Sequence, residues 1–374
     1  MPRLPDVDET LATLRAIATA PTAPYHEWLA LDAIRRKLER HGIAYETDRY
    51  GQLHARVRRG DPRRSLVLVA HTDHPAFEVV AADGTAGTVR VLGGIGAAAL
   101  GGDVPVRVHD DAGPRDLPAV VHGFAPDLDT VHNSPGRARI RADGPIAAGQ
   151  WAVLDLPGLE QDGDQLRLRA ADDLAGCSLI VSALVVLARA SRDTPGSFDV
   201  RAVFTRAEET GLYGARLAVA DGSIPRDAVI VSIEASRALP HVPDGAGIVV
   251  RAGDRYNTFT NDAERYLRVA QERLAAEGIP TQRALLSGGT CEGSTFVIHG
   301  WATTAMALPN VNYHNLAPHG RLAPEIVRLA DLRSGIALAA EAAIAAGEDA
   351  AESWRPSAGL VPDEVRAILE RRRA

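Results

Sequence analysis

The stretch SLVLVAHTDHPAFEVV, residues 65–80, begins with an apolar run over residues 65–70 and then places His71 and Asp73 in quick succession. An unbroken apolar run of this length suits a strand buried on both faces, the kind found at the centre of a parallel sheet. In an open α/β sheet, ligands bind beyond the carboxyl ends of the strands. A histidine and an aspartate set there are therefore candidate functional residues.

Outward from this strand, residues 8–42 carry apolar positions at three and four spacing in DETLATLRAIAT and YHEWLALDAIRRKLERHG, which predicts two helices. From about residue 82 to 168 the texture changes to short alternating runs such as GTVRVLGG, VPVRVHDD and QWAVLDL, split by Gly, Pro and Asp turns. The apolar helix ADDLAGCSLIVSALVVLARAS then starts an alternation of strands and helices that continues to about residue 345. The fold class expected is α/β, a mostly parallel sheet sandwiched by helices. Residues 1–80 and 168–374 form its two parts, and residues 81–167 form an inserted small β domain.

Composition narrows the functions. Of the 374 residues, 46% are hydrophobic and 24% charged, as in folded globular chains, and no apolar stretch is expected to approach the roughly 20 residues of a membrane span. A net charge of −7, with no basic block interleaved with aromatics, argues against nucleic acid as a partner. Lys37 is the only lysine, which removes most Schiff-base and phosphate-loop chemistry. Two cysteines, Cys177 and Cys291, make neither a disulfide framework nor a thiolate metal site. MPRLPDVDETLATLR lacks a secretory apolar segment, so a cytoplasmic location and no membrane partner are expected. Gly94, Gly96 and Ala99 imitate a dinucleotide fingerprint, yet Pro105 and VPVRV follow where a helix would have to start. No Gly-x-Ser-x-Gly elbow is present.

The chemistry gathers at element ends. Glu208 and Glu209 follow VRAVFT, Glu234 follows AVIVSI, His314 follows TTAMALP, and Asp172 and Asp173 precede the apolar helix. Two adjacent carboxylates at a buried strand end repel each other unless a positive partner lies close. Imidazole and carboxylate donors without thiolate suit Zn²⁺, with Co²⁺ or Mn²⁺ as alternatives. Two such ions would balance three carboxylates and one bridging hydroxide, leaving Glu208 free as general base.

Four motifs are similar to those of M42-type co-catalytic metallopeptidases, the glutamyl and tetrahedral aminopeptidases of the M28/M20/M42 clan. AHTDHPAFEV resembles the family's His-x-Asp segment, ADDLAGC its Asp-Asp-Arg-x-Gly-Cys, and AEETGLYGA its Glu-Glu-x-Gly-x-x-Gly-Ala. GGTCEG with NYHN resembles its Gly-Gly-Thr-Asp and Tyr-x-His segments. The resemblance implies His71 and Glu234 as terminal ligands, Asp172 as the bridge, Glu209 and His314 on the other ion, Glu208 as general base and Asp73 as the residue that orients His71. It also implies two divalent ions, a homo-oligomer, and an assembly or substrate-access role for the β insert. The chain departs from the family pattern at Glu234, usually Asp; at Leu174, usually Arg; at Cys291, usually Asp; and at His74, often Glu.

The expected activity is a metallo-aminopeptidase that removes N-terminal residues from peptides. A metal-dependent amidohydrolase or deacylase on a small amide is the alternative within enzymes, and a non-catalytic binding protein of the same fold is the alternative outside them.

Overall fold

The computed structural model describes residues 4–113, 115–190 and 196–371. Helices α1 (Val7–Ala18) and α2 (Trp28–Arg40) lead into strands β1 (Ala44–Thr47), β2 (Leu53–Arg59) and β3 (Ser65–His71). Then come β4 (Ala76–Asp83), β5 (Ala86–Leu92), β6 (Val104–His109), β7 (Leu117–Asp129), β8 (Ser134–Ala142) and β9 (Trp151–Leu154), followed by β10 (Glu160–Asp162) and β11 (Gln165–Leu168). The next elements are α3 (Ala171–Arg189), β12 (Phe198–Thr205), α4 (Tyr213–Asp221), β13 (Val229–Arg237), β14 (Ile248–Arg251) and α5 (Asn261–Ala276). After them come β15 (Thr281–Ala284), α6 (Glu292–Ile298), β16 (Ala302–Asn310), β17 (Glu325–Arg328), α7 (Leu329–Glu348), α8 (Arg355–Ala358) and α9 (Asp363–Glu370).

Eight strands form one mixed sheet in the order β1-β2-β12-β3-β13-β16-β14-β15. Its centre, β12, β3, β13 and β16, is parallel, while β2 and β14 run antiparallel to their central neighbours. The apolar run seen in the sequence alternates between two cores. Leu66, Leu68 and Ala70 join residues of α1, α3, α5 and α7, whereas Val67 and Val69 join Ala215 and Ala218 of α4 and Phe296 of α6. Both faces of β3 are thus covered, as its unbroken apolar character requires.

Strands β4-β5-β8-β7-β6-β9 close into a separate barrel with its own core of Phe77, Val79, Val89, Val91, Val106 and Ile140. The barrel begins at Ala76 rather than at residue 81. AFEVV reads as a continuation of the apolar run before it, but Pro75 separates the two strands and the alternating Phe77 and Val79 point into the barrel. Its last strand ends at Leu154, and β11 pairs instead with β17.

Helix α3 corrects one expectation. Its 19 residues are long and apolar enough to pass for a membrane span by length and composition. Here all but the last few are buried, and the helix packs in the core between the sheet and α1 and α7.

The parallel centre sends the carboxyl ends of β3, β12, β13 and β16 to one edge. The barrel leaves the chain just after β3, so it stands beside that edge. Asn133, in the β7–β8 turn, reaches back to donate from Nδ2 to the Glu209 carbonyl at 2.8 Å.

Candidate metal centre

His71 is the last residue of β3, paired in register with Thr205 at the end of β12. The chain turns after β12 through Ala207, in the left-handed region at φ 54°, and presents Glu208 and Glu209. Glu234 lies inside β13 rather than after it, because pairing with β16 continues to Arg237. Asp172 opens α3, and His314 follows β16 in a tight turn where Asn312, His314 and Asn315 all have positive φ. Such backbone concentrates at functional sites because surrounding contacts must hold it.

These five segments converge. Nε2 of His71 lies 3.4 Å from Asp172 Oδ1, 3.8 Å from Glu234 Oε2 and 4.0 Å from Glu208 Oε2. Nε2 of His314 lies 3.6 Å from Asp172 Oδ2 and 3.3 Å from Glu209 Oε1. Asp172 therefore offers one oxygen to each imidazole. Two groups able to hold a cation share it: His71, Asp172 and Glu234 on one side, and Asp172, Glu209 and His314 on the other. His319, on the same loop as His314, is exposed and outside the cluster.

Electrostatics follow from four buried carboxylates facing two rings. Burial pushes the Glu208 carboxyl well above the usual range, opposed by His71 and reinforced by the charges of Glu234 and Glu209. Burial also raises Glu234. Burial alone would lower the two imidazoles, but Glu208 with the carboxylates of Asp172, Asp73 and Glu234 raises His71, and Glu209 with Asp172 raises His314. Asp172 moves the other way: its burial penalty is outweighed by the two rings, which hold it below the normal carboxylate range. Oε1 of Glu234 is buried without a hydrogen-bond partner, and Oε1 of Glu209 is buried with only the His314 ring beside it, at 3.3 Å. Unsatisfied buried carboxylate oxygens are costly unless a cation compensates them. Nitrogen and oxygen donors without thiolate are those of divalent zinc, cobalt or manganese, so these side chains fit such ions.

Asp73 does more than the sequence suggested. Its carboxylate accepts the main-chain N–H groups of Glu208 and Glu209 at 2.9 and 3.0 Å. Nδ1 of His71 faces the Asp73 carbonyl at 3.2 Å and its carboxylate at 3.5 Å. One residue thus braces both the histidine and the loop carrying the glutamates. Cys177 packs behind them, its thiol donating to the His71 carbonyl at 3.1 Å. Burial pushes the Cys291 thiol up to about 12, which removes it as a nucleophile near neutrality.

Three supporting residues escaped the sequence reading. Gly94, part of the imitation dinucleotide motif, and its neighbour Gly93 make room for two side chains of the cluster instead: a β-carbon at Gly93 would meet Glu209 at 3.0 Å, and one at Gly94 would meet the His314 ring at 2.7 Å. Gly-Gly between a strand and a short turn was the available signal. The third is Glu325, buried where β17 begins.

Residues 51–333 match the family model described as M42 glutamyl aminopeptidase.

The chain belongs to the M42 peptidase family.

Membership makes it a peptide-bond hydrolase in a family of metal-dependent enzymes. Among solved structures, an aminopeptidase of the archaeon Desulfurococcus kamchatkensis aligns with a TM-score of 0.74 at 21% identity, over 95% of this chain and 99% of that one. The TET1 peptidase of Pyrococcus horikoshii, described as assembling into a tetrahedron or a large octahedral shell, aligns at 0.71 and 20%, over 90% and 99%. A TET aminopeptidase from a marine-sediment thaumarchaeote aligns at 0.74 and 17%, over 90% and 96%. At these identities the likeness is one of fold. Comparison with curated protein sequences gave no match. Against the M42 pattern, Leu174 is buried in the core and His74 is buried behind Asp172, so neither departure removes a potential ligand.

Proposed function

We propose that the chain is a two-metal aminopeptidase. The observation that carries this reading is the placement of Asp172 between His71 and His314, one carboxylate oxygen toward each. His71, Asp172 and Glu234 would hold one divalent ion, and Asp172, Glu209 and His314 the other, with zinc ahead of cobalt or manganese. Two such ions supply a water acidified toward neutrality and polarise the carbonyl under attack.

The remaining work falls to side chains. Glu208, with its carboxyl raised by burial, is suited to take a proton from the attacking water and deliver it to the departing amine. Asp73 fixes the loop on which it stands. Beside Glu234 opens a pocket of about 340 Å³ lined by Ser236, Arg237, Arg251, Thr290 and Tyr313. Arg251 is committed to the carbonyls of Gly253, Leu286 and Gly289. Arg237 is exposed at the pocket, over the Tyr313 ring, and favours an acidic first side chain. The barrel, residues 76–154, is a candidate assembly and access surface. In support, the Pyrococcus horikoshii TET1 peptidase is described as assembling into a tetrahedron or a large octahedral shell.

A panel of free-amine peptides and their N-acylated counterparts, offered to chelator-stripped protein with each metal restored, tests the reading. Cleavage confined to free amines supports it. Turnover of acylated or small amides alone would move the chain to an amidohydrolase role.

A further inference from the structure

Asp172 is gripped by its main chain from both sides. Its N–H donates to Oε2 of Glu325 at 3.0 Å, and its carbonyl accepts from Nδ1 of His74. The same Glu325 accepts the main-chain N–H of His314 at 2.8 Å and the Asn310 side-chain amide at 2.9 Å, both through Oε1. Nε2 of His74 meets Asn315 Oδ1 at 2.9 Å, and the Asn315 amide nitrogen donates to the Arg169 carbonyl at 2.9 Å, which fixes the orientation of that amide. Glu325, His74, Asn310 and Asn315 are all buried.

The topology explains why these groups meet. Strand β11 runs into Asp172, and its Leu168 pairs with Glu325 in β17. An isolated bridge joins Ile326 to Val311, just before the turn that carries His314. Glu325 therefore sits where the approaches to the Asp172 and His314 segments cross; no other carboxylate among the described residues accepts from the main chains of both.

Resting on the two-metal reading above, we propose that Glu325 and His74 are positioning residues that hold the Asp172 carboxylate between the two ion sites and lock His314 to the same frame. The two ring nitrogens of His74 face the Asp172 carbonyl and Asn315 Oδ1, and a carboxylate in its place would set acceptor against acceptor. Removing such supports to metal ligands elsewhere costs 10- to 100-fold in metal affinity.

The test is calorimetric titration of Zn²⁺ or Co²⁺ into the chelator-stripped full chain, for wild type, Glu325→Gln, His74→Gln and His74→Glu, with circular dichroism and melting of each metal-free protein. We expect two ions in wild type and a loss of about 10- to 100-fold in at least one binding step in Glu325→Gln. His74→Glu should be hit harder than His74→Gln, because a role in packing alone would not rank the two by donor count. Should Glu325→Gln not fold, the His74 pair carries the comparison. Wild-type affinity at both sites in Glu325→Gln and His74→Glu overturns the proposal. So does equal weakening of both steps that merely tracks a fall in melting temperature. A wild type that binds no ion would instead sink the metal reading on which it rests.

Discussion

The ring of His314 lies directly against Gly94, with Nδ1 facing the Gly94 carbonyl at 3.1 Å, and any β-carbon at position 94 would stand 2.7 Å from that nitrogen. The glycine is required by the histidine. Gly94→Ala is expected to displace the ring and lower kcat/KM by about 10- to 100-fold, since small misplacements at a reacting centre are costly. Melting of the metal-free variant should change little. Steady-state kinetics beside a melting curve checks both halves, and an unchanged kcat/KM would contradict the contact.

Glu208→Gln keeps the side-chain volume and removes the base. Turnover should fall by about 10²- to 10⁴-fold, while ion stoichiometry stays that of wild type: Glu208 could join His71 and Glu209 in a third group, but the two groups that share Asp172 are complete without it. A loss of bound metal in this variant, read by elemental analysis, would make Glu208 a ligand instead.

The pocket beside Glu234 turns on Arg237. Arg237→Glu should raise KM for substrates with an acidic first residue and lower it for basic ones, with kcat moving less. A substrate panel varied only at that residue reads the exchange, and an unaltered ranking would remove Arg237 from specificity.

Glu292 supplies a pH prediction. Its carboxyl is fully buried, and burial, opposed by the nearby His71 and by the Thr205 hydroxyl, pushes it up to about 8 from 4.5. The native state thus keeps a proton that the unfolded chain releases above 4.5. Stability from this group therefore declines as pH rises toward 8, by at most about 1.4 kcal/mol per unit. Glu292→Gln should melt higher than wild type in mildly alkaline buffer and show a flatter pH dependence, measured on chelator-stripped proteins. Parallel melting–pH curves would contradict this assignment.

Much of this architecture was legible because its signals are periodic or terminal. SLVLVA announces a two-sided buried strand, and His71, Asp172, Glu209, Glu234 and His314 all fall at or near element ends, where a parallel sheet gathers them. The structure brings those five together. What stayed hidden acts through main chain or through space. Glu325 joins the N–H of His314, 11 residues before it, to that of Asp172, 153 residues before it, and no local pattern marks the second link. Gly94 matters for an atom it lacks. The barrel edge at Ala76 was obscured because AFEVV continues an apolar run, and β11 joins β17 across more than 150 residues, a pairing that no local pattern marks.

The proposed activity depends on two ions sharing Asp172. Anomalous diffraction from crystals grown with zinc, recorded on either side of the zinc absorption edge, tests it most directly. Two peaks about 3.5–4 Å apart are expected, one bounded by His71, Asp172 and Glu234 and the other by Asp172, Glu209 and His314. A single peak, or two peaks that do not both adjoin Asp172, would contradict it.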